Sequence, residues 1–330
     1  MKTLVVGGAG FVGLNLVEKL LRDGEEVVVF DRLALPAEAI AMFGQLPGRL
    51  TVVIGDVTDA AAIDGAFVSG IDQVVLGSAV TADATREAHD PETILQVNLM
   101  ALPALLRACK TAGVSRVVNL SSAAAYGLAA MNVERVTELT PPQPTGLYGI
   151  TKFTSEMVGE RLAALWSLDF VSLRLSAVFG PWERATGVRD TTSAPFQITE
   201  AARLHRPALL PRPGVRDWVY APDVADAVAA VLRATALSHR LYNVSSPVVF
   251  SALDWGQALS TRQPGFECRL ANNGETPTID LYAPADRGAL STERLADELG
   301  WSARFGLADS AAHLDAWRRS VTTSFTKESF

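Results

Sequence analysis

The sequence predicts an α/β fold: a Rossmann-type doubly wound parallel sheet with a smaller C-terminal α/β lobe. Three observations carry that prediction. Glycines at 7, 10 and 13 follow a short apolar run and open a helical one. Apolar strand-like runs and helical spacing then alternate as far as residue 120. Finally, 330 residues exceed a usual single domain but suit a large sheet domain with an appended lobe.

In order, residues 2–6 read as a strand, and Val12, Leu16, Val17, Leu20 and Leu21 have the spacing of an amphipathic helix. Between them Gly7 permits a sharp turn, Gly10 lets the backbone approach a pyrophosphate, and Gly13 lets helix and strand pack closely. The helix N-terminus then offers unpaired N–H groups and a positive dipole end to the phosphates. A second strand over 25–30 ends at Asp31, where a carboxylate accepts from an adenosine ribose diol and repels a 2′-phosphate. That favours NAD over NADP, although the adjoining Arg32 would tolerate a phosphate.

A third strand over 50–54 leads to Asp56 and Val57, and Asp56 has two uses open to it: accepting from an adenine amino group or capping the helix over 58–67. A fourth, 73–76, exits through Gly77, Ser78 and Ala79, small enough for a cofactor to cross the strand ends. The helix expected over 91–112 carries Ile94, Leu95, Val97, Leu99, Leu102, Leu105 and Leu106 on more than one face, which points to packing on the sheet and on a partner subunit in a homodimer. A fifth strand over 115–120 ends at Ser121 and Ser122.

Beyond a Pro-rich loop at 141–144, a helix places Tyr148 and Lys152 at i and i+4, on one face. An ammonium beside a phenol stabilises the phenolate, so Tyr148 can exchange a proton with an alcohol or carbonyl. Ser122, at a neighbouring strand end, can hydrogen-bond the same oxygen.

Composition excludes several classes. The hydrophobic fraction is 48%, the charged fraction 20% and the net charge −7, with no long basic run and no apolar run long enough for a bilayer. No nucleic acid or membrane partner is expected. Cys109 and Cys268 are too few for a disulfide framework and have no metal-ligand spacing to the scattered histidines, so a reduced cytoplasmic protein without metal is expected.

Five motifs together resemble the extended short-chain dehydrogenase/reductase family of epimerases, dehydratases and dehydrogenases. They are Gly7-Gly8-Ala9-Gly10-Phe11-Val12-Gly13, Ser121-Ser122-Ala123-Ala124-Ala125-Tyr126-Gly127, Tyr148-Gly149-Ile150-Thr151-Lys152, the run from Arg174 to Pro181, and Arg216-Asp217-Trp218-Val219-Tyr220. Residues 295–301 resemble its closing Leu-Gly-Trp signature. The resemblance implies Tyr148 as catalytic acid or base, Lys152 on the nicotinamide ribose, Ser122 as substrate hydrogen-bond donor, and Asn98 near the crevice. The cofactor set expected is Gly7, Gly10, Phe11, Val12, Gly13, Asp31, Arg32, Asp56, Val57, Ala79, Asn98, Tyr148 and Lys152. The substrate set is Thr81, Ser122, Ala123, Tyr148, Ala177, Arg184, Arg189 and Arg216.

Departures from the family pattern narrow the activity. Family 4,6-dehydratases carry an acidic pair where this chain has Ala123 and Ala124, which disfavours dehydration. Ala177 replaces an asparagine that many nucleotide-sugar enzymes use near the substrate pyrophosphate, whereas Arg216 matches a family arginine that meets it. In the segment 182–195, Arg184 and Arg189 suit a carboxylate or phosphate, as on a sugar acid; the alternative is that Glu183 and Asp190 pair with them on a solvated loop.

Residues 1–180 are thus expected to be mainly the NAD-binding domain and 181–330 mainly the substrate lobe, with chain crossing back at about 216–245. Further helices are expected over 290–299 and 310–319, and a loose or partner-bound tail over 320–330. The activity expected is NAD-dependent oxidation of a secondary alcohol on a sugar or sugar acid. A UDP-sugar 4-epimerase holding its NAD is the alternative, and a non-catalytic NAD sensor is disfavoured by the Ser122, Tyr148 and Lys152 set.

Overall fold

The computed structural model describes residues 1–283 and 285–327. Seven parallel strands form the main sheet: β1 (Lys2–Val6), β2 (Glu26–Asp31), β3 (Arg49–Ile54), β4 (Gln73–Leu76), β5 (Arg116–Ser122), β6 (Phe170–Leu175) and β7 (Leu241–Val244). Their order across the sheet is β3-β2-β1-β4-β5-β6-β7. The order reverses direction between β1 and β4, and a doubly wound sheet opens its ligand crevice at such a switch point.

The longer helices are α1 (Phe11–Arg22), α2 (Leu102–Ala112), α3 (Leu147–Trp166), α4 (Ala194–Arg203), α5 (Ala221–Arg233), α6 (Ala252–Arg262) and α7 (Leu307–Lys327). Alternate strand residues serve opposite faces, as the two-residue period of a strand requires. Val5, Val27, Val29, Val75, Val118 and Val171 pack toward α1 and α5. Leu4, Val6, Val28, Phe30, Val74 and Val117 pack toward α2 and α3. The central runs of β1, β2 and β4 are therefore apolar, because both faces are covered, whereas the edge strand β3 is largely exposed and β5 and β6 carry the buried polar residues Arg116, Asn119 and Arg174.

A second core lies around Phe179, whose ring meets Trp255 edge-on at 5.1 Å between centroids. There α4 and α6 flank two short strand pairs, Ala208–Leu210 with Cys268–Leu270 and Val215–Arg216 with Phe250–Ser251. Between these pieces the chain returns to the main domain, where α5 covers the sheet and β7 extends its edge.

Three local readings are corrected. The helix expected over 91–112 runs as Pro91–Leu95, a wider π turn at Gln96–Met100, and α2. Pro103 has no N–H to continue the α ladder, and Ala101 N instead donates to Gln96 O at 3.0 Å. The helix expected over 290–299 is Glu293–Leu299, because Ala289–Leu290 pairs as a strand with Arg135–Val136. The tail expected over 320–330 continues α7 as far as Lys327, and its last three residues lie outside those described. Among the described residues no helix is long and apolar enough to cross a membrane.

Candidate active site

Two adjoining clefts open at the C-terminal ends of the strands, and both include Gly7, Gly10, Gly77, Ala79 and Val188 in their walls. Gly7 has φ +80°, and a Cβ there would lie 2.6 Å from Ser78 N, so only glycine lets the turn pass this close to the β4 exit. Gly10 precedes α1 without a side-chain cap, and the first turn of α1 holds no acidic residue. Its leading N–H groups are left for an anion.

The smaller cleft, about 560 Å³, is lined by Asp31, Arg32, Asp56 and Val57 among others. Asp31 Oδ2 accepts from Ala9 N and Oδ1 from Leu33 N, both at 3.0 Å, which fixes the carboxylate at the end of β2. Asp56 accepts from Thr58 N and Oγ1, while Asp59 is the residue that caps the helix Ala60–Ala66. These residues fit a dinucleotide: a carboxylate for the ribose, small residues across the strand ends, and an uncapped helix terminus for the pyrophosphate. A bound nicotinamide ring would supply the hydride acceptor.

Ser122, Tyr148 and Lys152 line the larger cleft, about 1360 Å³. Gly149 lets the start of α3 approach the turn after β5, since a Cβ there would lie 2.5 Å from Ala124 O. That contact brings Tyr148 and Ser122 to one wall. Lys152 Nζ, its residue 6% exposed, donates to Leu120 O at 2.7 Å and stands 5.8 Å from the centre of the Tyr148 ring. Ser122 Oγ accepts from Ala124 N at 3.1 Å, so its hydroxyl proton is free to be donated elsewhere. Behind this wall Glu156 of α3 pairs with Arg174 of β6 at 2.5 and 2.9 Å and accepts from Ser121 Oγ.

Two expected site residues do not line either cleft. Asn98, in the π turn, accepts from Val80 N at 2.7 Å and donates to Val80 O and Thr151 Oγ1. It holds the β4 exit against α3, and its neighbour Val97 is the one that reaches the cleft wall. Ala123 is 7% exposed and packs with Tyr126, Ala130, Val136 and Leu290, because the 3₁₀ turn after Ser122 rotates it inward.

Thr81, Ala177, Arg184, Arg189 and Arg216 all line the larger cleft, but the arginines differ. Arg189 pairs with Glu183 at 3.2 Å, donates to Thr191 O and stands 5.1 Å from the Phe11 ring centre. Asp190 pairs with Arg86 rather than with either loop arginine. Arg184 donates through Nη2 to Ala9 O of the glycine turn at 2.8 Å. Arg216 has no carboxylate within ion-pair distance among the described residues and stands 5.8 Å from the Trp218 ring centre. Burial, with the nearby Arg287 charge, pushes its guanidinium down to about 10. Asp280, Leu281 and Tyr282 also line this cleft and carry no local sequence signal; the pairing of Asp280 with Gln197 brings them there.

A dinucleotide cradle opening onto a serine, a tyrosine and a lysine defines an oxidoreductase-type site. The model of the NAD dependent epimerase/dehydratase family matches residues 3–245. The chain is 28% identical over 322 residues to UDP-glucose 4-epimerase of Corynebacterium glutamicum, covering 92% of this chain and 91% of that one. It is 30% identical over 236 residues to dTDP-glucose 4,6-dehydratase of Mycolicibacterium smegmatis, covering 70% and 69%. The solved structure of MoeE5 in complex with UDP-glucuronic acid and NAD superposes with a TM-score of 0.76 at 25% identity, covering 97% of this chain and 99% of that one. The chain belongs to the NAD-dependent epimerase/dehydratase family and is an NAD-dependent enzyme of the extended short-chain dehydrogenase/reductase type.

Proposed function

We propose that this enzyme oxidises a secondary alcohol of a sugar carried on a nucleoside diphosphate. The observation that carries the substrate class is Arg216: a half-buried guanidinium with no carboxylate at ion-pair distance among the described residues, on the wall of the cleft that also holds Tyr148. A desolvated cation seeks an anion of the ligand, and a diphosphate meets a guanidinium with two parallel hydrogen bonds. The relatives named above act on UDP- and dTDP-sugars, which supports the same class.

In this reading Tyr148 removes the hydroxyl proton as the carbon gives up hydride, Lys152 stabilises the phenolate, and Ser122 donates to the substrate oxygen. The Tyr148 hydroxyl has no hydrogen-bond partner among the described residues, so it is available to the substrate. Ala123 and Ala124 provide no acid–base pair for eliminating water. The ketone is then either returned hydride on its other face, as in an epimerase, or released. Release as a dehydrogenase product from a free sugar acid is the second reading, favoured by Ala177 at the position of the family asparagine.

Incubation with UDP-sugars, dTDP-sugars and free sugar acids, followed at 340 nm and by product analysis, separates the two. A silent epimer supports the first and accumulating NADH on a free acid supports the second. Tyr148→Phe should lower turnover by about 10² to 10⁴-fold with NAD binding kept; unchanged turnover would remove Tyr148 from the chemistry. For the homodimer, the exposed Leu95 and Met100 together with Ile150, Met157 and Leu165 of α3 support an apolar partner face.

A further inference from the structure

The segment from Glu183 to Ser193 is tied to the main domain at Thr81 and Arg86 and closed on itself by a buried Glu183–Ser193 contact. Thr81 N donates to Val188 O at 2.9 Å and Asp190 N to Thr81 O at 3.0 Å. Arg86 adds a bond to Gly187 O and an ion pair with Asp190. Glu183, fully buried, accepts from Ser193 N and Oγ, each at 2.7 Å. From this anchored strap Arg184 reaches back 175 residues along the chain to the glycine turn and donates Nη2 to Ala9 O.

Its other terminal nitrogen, Nη1, is buried and has no acceptor. A buried guanidinium N–H without an acceptor is unfavourable, so this nitrogen is placed to meet an acceptor on a ligand in the cleft. Arg184 shares the cleft wall with Gly10, Phe11 and Val12, where α1 presents its uncapped first turn. Both features address an anion at one place. Asp31 and Glu38 lie near enough to favour its positive charge, against the burial that opposes it.

We propose that Arg184 is a dinucleotide-binding residue that holds the cofactor's pyrophosphate from the strap side, opposite the glycine turn, and slows its release. This rests on the dinucleotide reading of the cleft. It assigns to the cofactor an arginine that the sequence placed on the substrate. A pyrophosphate held between the α1 terminus and a strap anchored at Thr81 and Arg86 leaves only when the strap loosens, which suits an enzyme that keeps its NAD between half-reactions.

The test uses the full chain, stripped of cofactor, as wild type, Arg184→Gln and Arg184→Lys, with folding checked by circular dichroism and melting of the apo form. Dissociation constants for NADH and for ADP-ribose are read from tryptophan fluorescence, and NADH release from stopped flow. Arg184→Gln should weaken both ligands by about tenfold, mostly through faster release, and Arg184→Lys should recover part of the loss. ADP-ribose lacks the nicotinamide, so equal weakening of both locates the effect on the shared half. Binding within twofold of wild type in Arg184→Gln overturns the proposal, as does a rise confined to the KM for sugar substrate. Wild type that binds neither ligand would overturn the dinucleotide reading itself, whereas wild-type binding with an indifferent variant overturns the role of Arg184 alone.

Discussion

Replacing Arg174 by methionine tests whether the buried pair behind the Ser122–Tyr148 cleft wall holds that wall in place. Arg174 is 2% exposed, bonds Glu156 through Nε and Nη2, and stands 4.4 Å from the centre of the Tyr126 ring. Methionine fills much of the volume but leaves the Glu156 carboxylate buried with Ser121 as its remaining partner. Breaking a buried pair this way costs about 3–5 kcal/mol, mostly from the uncompensated charge. With roughly 2–4 °C per kcal/mol in somewhat smaller proteins, the melting temperature should fall by about 5–15 °C. Glu156 lies on the α3 face that bears Tyr148 and Lys152, so kcat should fall as well. Adding Glu156→Gln to Arg174→Met removes the stranded charge and should recover at least half of the lost stability. Thermal melts followed by circular dichroism read both variants against wild type. A shift under about 2 °C for Arg174→Met, or no recovery in the double variant, would refute the reasoning.

Three further outcomes are expected. Gly149→Ala places a Cβ 2.5 Å from Ala124 O, so the two backbones must part by most of an ångström; kcat should drop by up to about 10²-fold, whereas helix propensity alone predicts a gain near 1 kcal/mol in stability and no kinetic loss. Arg216→Met should raise KM for a diphosphate-bearing sugar at pH 8 by about tenfold or more while leaving NAD binding intact, and Arg216→Lys should recover only part of it because an ammonium lacks the bidentate fork; unchanged KM in both would refute the assignment. Burial pushes the Cys109 thiol up to about 12 and that of Cys268 to about 11, leaving at pH 8 a thiolate fraction of roughly 10⁻⁴ and 10⁻³; iodoacetamide should label both slowly in the native enzyme and quickly in urea, and rapid native labelling of Cys109 would contradict its burial.

The sequence by itself determined the parallel sheet, the strand-end placing of Gly7, Asp31 and Ser122, and the shared helix face of Tyr148 and Lys152. Each of those signals is local: a strand period of two, a glycine where no Cβ fits, an i to i+4 pair on one helix. Asn98, which the resemblance placed near the crevice, is bonded to the cleft-wall residue Val80 but does not itself line the wall, and the 3₁₀ turn carries Ala123 off it. Only the tertiary structure separates the surroundings of the arginines. Arg184, Arg189 and Arg216 look equivalent as cations in a chain. Their surroundings differ: Ala9 O, 175 residues away, for Arg184, the near neighbour Glu183 and the distant Phe11 ring for Arg189, and for Arg216 no carboxylate at ion-pair distance among the described residues. A charge has no intrinsic target, and what it binds is settled by which opposite charge or carbonyl the fold delivers and by how much water the fold removes.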